Sequence, residues 1–291
     1  MKNLDVLFKE YNFNFTDESV EKSVKDILAN GFAKNDNKDI YRKCLSFIDL
    51  TSLNATDTEE KIEKMMQKVN DFPQHFDTEN VPAVCVCPSL VPVARKTLTG
   101  STKIAAVSAC FPSSQTFIEA KIAEVALTAY AGADEIDVVI SLGKYLSGNY
   151  DEMLEELEEI KAACRNAHLK VILESGSLPS CADIKKASII AIAAGADFIK
   201  TSTGKSEPAA TLEAAFVMCQ TIKEFYQKSG VKIGFKPAGG IVTTQDAVQY
   251  YTIVESILGE DWLNSDLFRF GASRLANNLL SAIYDKEVKY F

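Results

Sequence analysis

Histidine is almost absent from this sequence: His75 and His168 are the only two in 291 residues. A histidine-rich metal centre or a serine–histidine–aspartate relay has little to be built from. No phosphate-loop motif G-x-x-x-x-G-K-S/T occurs, and no G-x-G-x-x-G follows a strand-like run, so a nucleotide cofactor has no support. No apolar stretch approaches the ~20 residues of a membrane span. The opening MKNLDVLFKEYNFNF brings in acids early and lacks an apolar run of leader length. Basic residues are in the minority, 31 against 40 acids, for a net charge of −9. That balance argues against nucleic-acid or membrane partners, but it leaves room for an anionic small substrate at a locally positive site.

Seven cysteines are present, an odd number, mostly in apolar segments. Reduced core thiols in a cytoplasmic protein are the simplest reading. Cys85 and Cys87 share one strand face, yet no second Cys or His pair lies nearby in sequence to complete a metal site, so no metal is expected. The remaining composition, 47% hydrophobic and 24% charged, is that of a globular protein.

Helix and strand periodicities alternate along the chain. Residues 1–42 read as a polar helical extension: Thr16 and Asp17 precede SVEKSVKDILANGF, where Val20, Val24, Ile27 and Leu28 share a helical face and Gly31 marks an end. From Lys43 to Phe291, apolar strand-like runs alternate with helix-like runs. The strand-like runs are CLSFIDL, AVCVCP, KIAAVSAC, EIDVVIS, KVILES, DFIKTS, KIGFKPAGG and LFRFGA. Gly132, Gly195 and Gly230 fall where helices should end. Eight such units with short links and no linker-like break predict one α/β domain carrying the N-terminal extension, either a closed barrel or a doubly wound open sheet. Eight is the closing number, which favours a (β/α)₈ TIM barrel.

Polar residues inside these apolar strands are the informative anomaly. Lys200 ends one run and Lys236 ends the next. Sequential parallel strands are neighbours about 4.8 Å apart, so the two ammonium groups are expected to face one another at the barrel mouth. A free lysine, with a pKa of about 10.4, is protonated and no nucleophile at neutral pH. A second positive charge and partial burial disfavour its charged form, which yields an amine able to form an imine with a carbonyl. The alternative is two strand-end lysines snorkelling to water. Asp137, in Glu135-Ile136-Asp137-Val138-Val139, is a carboxylate in an apolar strand. It is either a proton relay or a structural ion pair. Asp49 repeats the pattern on the first strand as a supporting residue.

The loops after the last three strands carry Gly204, Lys205, Gly239, Gly240, Gly271 and Ser273. Glycines there let backbone N–H groups approach a ligand, and Ser273 would begin the last helix, whose dipole favours a phosphate. Ordinary tight turns are the alternative reading. The aromatics Tyr11, Phe13, Phe15, Tyr250 and Tyr251 are read as packing rather than cofactor contacts.

The strings SFIDLTSLNATDT, AVCVCPSLVPVARKTL, AGADEIDVV, DFIKTSTGK, GFKPAGG and FRFGAS, in this order, resemble the deoxyribose-phosphate aldolases, a class I aldolase family. The likeness spans most of Lys43 to Tyr284. It implies reversible cleavage of 2-deoxy-D-ribose 5-phosphate to acetaldehyde and D-glyceraldehyde 3-phosphate, with no cofactor because an iminium serves as the electron sink. It implies Lys200 as the Schiff-base lysine, Lys236 as its perturbing partner and Asp137 in the proton relay. Asp49, Thr203 and Cys85 take supporting positions, and the glycines, Lys205 and Ser273 surround the phosphate. A homodimer is also implied. A non-catalytic sugar-phosphate-binding barrel and a transaldolase-like enzyme remain the alternatives.

Four departures from the family pattern stand out. Arg274 follows Ser273 where many members have a second serine, and Val242 stands where many have arginine, so Arg274 is expected to restore the lost charge. Tyr290 is expected to serve as the C-terminal tyrosine that reaches into the site of some members, although Phe291 follows it. Phe111 to Ser114 replace a glycine-containing turn.

Overall fold

The eight apolar runs form eight parallel strands, and the helices between them lie outside. The computed structural model describes residues 4–291, so the first three residues of the opening stretch lie outside the described residues. Ahead of the barrel come α1 (Leu4–Lys9), α2 (Asp17–Asn35) and α3 (Lys38–Leu45). The barrel begins β1 (Ile48–Thr51), α4 (Glu59–His75), β2 (Ala83–Val86), α5 (Val91–Thr97), β3 (Lys103–Ser108), α6 (Ile118–Tyr130) and β4 (Glu135–Val139). It continues through α7 (Leu142–Leu146), α8 (Tyr150–Ala163), β5 (His168–Ile172), α9 (Cys181–Ala193), β6 (Phe198–Lys200) and α10 (Leu212–Ser229). It ends with β7 (Gly234–Lys236), α11 (Thr244–Leu258), β8 (Phe270–Ala272) and α12 (Arg274–Tyr284).

Strands β1 to β7 pair in sequence order, and β1 pairs with β8. Parallel bridges Phe235↔Phe268 and Ala238↔Gly271 join β7 to the β8 region, so the barrel closes. Closure follows from the pattern: apolar residues on the outward face of each strand need a helix, and every link supplies one. On α4, Ile62, Met66, Val69 and Phe72 recur at helical spacing and are buried.

The main core lies between barrel and helices and includes Ile48, Leu50, Val84, Val86, Ile136, Val138, Leu169, Val171, Ile199 and Phe235. The opposite strand faces point inward and are of two kinds. Cys85, Ala105 and Val107 form a separate apolar cluster under Leu53 and Phe111. Beside it the interior holds a buried ionic cluster, set among the apolar Val139, Ile172 and Phe198, which share strand faces with its members. Phe111, in the departing turn, thus helps cover the apolar side of the mouth.

Three local expectations change. Cys44 and Leu45, read as the start of the first strand, end α3, because Asn37 caps that helix by accepting from Asp39 N and Ile40 N. The expected division between residues 42 and 43 lies within this helix. Gly31 lies inside α2 rather than past its end. A Cβ there would stand 2.7 Å from Thr252 Cγ2, so glycine allows close approach to α11. Near the end of the same helix, Asn35 Nδ2 donates to Thr252 Oγ1 at 3.1 Å and Glu255 Oε2 at 2.8 Å. The short α7 was not anticipated.

Candidate active site

Strand register brings the anomalous residues together. Lys200 is the Cα partner of Lys236, and Asp137 of Lys170. Lys200 Nζ and Lys236 Nζ each donate to Asp137 Oδ2 at 2.8 Å. The two nitrogens are therefore separated by no more than twice that distance. The two lysines do meet across adjacent strands, and the Asp137 carboxylate expected near them bonds both, as burying like charges requires.

The cluster extends beyond these three. Lys236 also donates to Asp49 Oδ2. Arg269 Nη1 reaches Asp49 Oδ1 at 2.5 Å, and its Nη2 reaches Glu135 Oε1 at 3.1 Å. Lys170 Nζ bonds Glu135 Oε2, and it meets Asp137 Oδ1 at 3.3 Å. Asp49, Glu135 and Asp137 thus face Lys170, Lys200, Lys236 and Arg269, and all seven are buried. Fully ionised, the cluster carries one positive charge too many. It is neutral when one lysine is neutral.

The charge states follow from competition between burial and partners. Burial pushes the Asp137 carboxyl up, but Lys170, Lys200 and Lys236 outweigh it and hold it well below the usual carboxylate range. Burial pushes Lys236 down, and Asp137 and Asp49 reverse this, so its ammonium is held above the usual lysine range. Lys170 is likewise raised against burial by Asp137 and Glu135. Cys85 lies beside the cluster; burial, then Asp137, pushes its thiol up to about 11.

A cleft of about 290 Å³ opens above the cluster. Of the four cluster cations, Lys200 alone lines it, with Thr203, Gly204, Lys205, Gly239, Gly240, Gly271, Ser273, Arg274 and Val242 also on its walls. Gly204, Gly239 and Gly240 have φ of 72°, 88° and 79°. A Cβ on Gly239 would also stand 2.8 Å from Ala209 Cβ. Ser273 stands at the N-cap position just before α12 and provides no side-chain cap. Gly271 is different: it lines the cleft with its N–H already donated to Pro237 O at 2.9 Å. A Cβ there would lie 2.7 Å from Ala238 Cβ and 3.2 Å from Lys236 Cε, so this glycine makes room for the stem of Lys236.

Tyr290 is not in the cleft. Its hydroxyl donates to Lys68 O at 2.7 Å, and its ring packs on Phe72, Phe76 and His75. Asn277 Oδ1 accepts from the N–H groups of Tyr290 and Phe291, which pins the tail against the helix layer. The expected reach into the site is corrected accordingly. Asp49 holds Lys236 and Arg269 from below, and Thr203 bonds Glu174. Sequence reading passed over Lys170, Glu135, Arg269 and Glu174. The signal for the first three was the same as for Asp137: a charge at an inward position of an apolar strand.

A model of the DeoC/LacD family aldolases matches residues 43–257. A domain of unknown function matches residues 1–78, overlapping the start of the barrel. The chain is 43% identical over 251 residues to a Caenorhabditis elegans protein provisionally named deoxyribose-phosphate aldolase, covering 85% of this chain and 82% of the relative. It is 40% identical over 255 residues to the Homo sapiens deoxyribose-phosphate aldolase, covering 83% and 80%. The fold is shared with the tetrameric deoxyribose phosphate aldolase structure from Aeropyrum pernix, at a TM-score of 0.67, 24% identity and coverage of 88% and 97%. By the extent of these matches, the chain belongs to the DeoC/LacD family of aldolases.

Proposed function

We propose that this aldolase cleaves 2-deoxy-D-ribose 5-phosphate reversibly, through an imine on Lys200. The observation that carries the reading is that Lys200 alone joins the buried charge cluster to the cleft. Lys236 and Lys170 each contact at least two carboxylates, whereas Lys200 contacts only Asp137. The reacting form is the cluster with Lys200 neutral, which balances its charges.

Neutral Lys200 adds to C1 of the open-chain sugar. The carbinolamine hydroxyl takes a proton passed from solvent through the Asp137–Lys236 pair and leaves as water, giving an iminium, and the proton is returned when the imine is hydrolysed. Asp137, with Lys236 beside it, receives the proton of the C3 hydroxyl through a water. The C2–C3 bond breaks, and its electrons pass into the iminium to give an enamine. Glyceraldehyde 3-phosphate leaves. Protonation of the enamine at C2 and addition of water release acetaldehyde and free Lys200. The phosphate lies over Gly204, Lys205, Gly239, Gly240 and the start of α12, where Ser273 and Arg274 stand.

The partners are accordingly small sugar phosphates and aldehydes. Among the described residues, no helix is long and apolar enough to cross a membrane. A cytoplasmic homodimer is the form proposed. All seven cysteines are free, and Phe117, Leu127 and Tyr130 leave an uncovered apolar face at α6. Borohydride reduction in the presence of acetaldehyde, followed by peptide mass spectrometry, tests the chemistry. N-ethylation of Lys200 is expected; an adduct on another lysine, or none, overturns the assignment.

A further inference from the structure

Glu174 is a buried carboxylate that the reaction scheme leaves unused. It follows β5, is 3% exposed, and has a left-handed backbone with φ 50° and ψ 55°. Non-glycine residues are uncommon there, and surrounding contacts must hold them in place. Both side-chain oxygens engage the loop after β6. Oε1 accepts from Thr203 N at 3.0 Å, and Oε2 accepts from Thr203 Oγ1 at 2.5 Å. With its proton directed at Glu174, the Thr203 hydroxyl is left as an acceptor, and it takes Lys205 N–H at 3.0 Å. Lys205 Nζ then crosses the mouth to Leu53 O at 2.6 Å. Gly204 lies between, close enough to Gly239 that a Cβ on the latter would stand 3.1 Å from Gly204 Cα. One carboxylate thus fixes the backbone from which Gly204 and Lys205 face the cleft.

Lys200 is held by other bonds. Leu173 N donates to Lys200 O at 2.9 Å, Thr201 N to Lys236 O at 3.1 Å, and Thr201 Oγ1 to Ala238 O at 3.1 Å. Loss of the Glu174 carboxylate releases the loop only beyond Thr201.

We propose that Glu174 is a positioning residue for the phosphate end of the substrate, acting through Thr203 on Gly204 and Lys205. This rests on the reading of those two residues as phosphate contacts. The test is steady-state kinetics of the wild type, Glu174→Gln and Glu174→Gly on 2-deoxyribose 5-phosphate and on unphosphorylated 2-deoxyribose. Gln keeps the shape but turns an amide N–H₂ toward the hydroxyl. Gly removes the carboxylate and suits the left-handed backbone, so it decides the question if the Gln variant does not fold. KM for the phosphorylated sugar is expected to rise about tenfold, as loss of a charge-assisted pair of bonds allows. Turnover of 2-deoxyribose and borohydride trapping of acetaldehyde on Lys200 are expected to stay within about twofold. An unchanged ratio between the two sugars, or equal loss on both, overturns the proposal. A wild type indifferent to the phosphate sinks the phosphate reading itself. A wild-type preference that survives both substitutions sinks only the role of Glu174.

Discussion

Lys185 and Lys200 are both lysines with almost no exposed surface, at 2% and 3%, and their surroundings differ in kind. Lys185, on α9, donates to Asn12 O at 2.6 Å and to Glu224 Oε1 at 2.6 Å. Phe13, Phe15 and Tyr11 surround it, with ring centres 5.5, 5.6 and 6.0 Å away. One cation meets one carboxylate, and a carbonyl and three rings complete the cage. These aromatics pack, as expected from sequence, and what they pack around is a charge that ties residues 11–15 to the barrel. Burial pushes the Lys185 ammonium below the usual lysine range even though Glu224 opposes it. A lysine depressed by burial is therefore not marked as a nucleophile by that alone. Lys200 is set apart by surplus positive charge, a carboxylate shared with two other lysines, and a cleft that reaches it.

The contrast breaks most sharply at Lys200 itself. Lys200→Met should lower aldol cleavage by at least about 10⁴-fold, since loss of a covalent nucleophile is rarely compensated. Cleavage within tenfold of wild type, measured by coupled release of glyceraldehyde 3-phosphate, would place the chemistry on another amine. Asp137→Asn comes next. It leaves three lysines around a neutral amide, so kcat should fall about 10²–10⁴-fold through loss of the relay. Unfolding stability should fall by about 3–5 kcal/mol, the usual cost of stripping one partner from a buried ion pair. A variant that loses stability but keeps its turnover would reduce Asp137 to a structural counter-charge, the same kind of role as Glu224.

The comparison also shows what the sequence reveals. Lys200, Lys236 and Asp137 were legible because strands alternate, and a charge among β-branched residues is conspicuous there. Lys170, Glu135 and Arg269 carried the same signal but sit at or within two residues of strand starts, where charges are ordinary. Lys185 was not legible at all. It lies in ADIKKASII, where one of two adjacent lysines on a helix must face outward, and only packing against Glu224 and residues 11–15 decides which. Glu174 was hidden for a related reason: a carboxylate just after a strand reads as a loop residue until Thr203 folds over it. The barrel itself was plain from eight repeats of two periodicities. The start of β1 was not, because Cys44 and Leu45 suit an apolar strand as well as they suit the buried end of α3.

Lys185→Met sharpens the contrast from the other side. It leaves Glu224 and Asn12 O without their cation. Because Glu224 is partly exposed, the expected loss is only about 2 kcal/mol, below the full buried-pair cost. Denaturant melts should show it, while kcat at a temperature well below the transition stays within about twofold. Loss of imine trapping in this variant would mean that the two lysine sites are coupled and that the division drawn between them is false.

Arg274 offers the smallest effect and a third kind of environment: a cation at the rim, exposed to water. It stands on the first residue of α12 beside Ser273, in a wall it shares with Val242. An exposed charge attracts a phosphate weakly and is screened by salt, so its contribution is about 1 kcal/mol at low ionic strength. Arg274→Ser should therefore raise KM for 2-deoxyribose 5-phosphate about three- to tenfold and leave kcat unchanged. Condensation of acetaldehyde with an unphosphorylated acceptor should not change. Added salt should raise the wild-type KM toward that of the variant, because screening and substitution remove the same interaction. If both acceptors lose equally, Arg274 shapes the cleft rather than holding the phosphate, and the charge missing at Val242 has not been restored from this side.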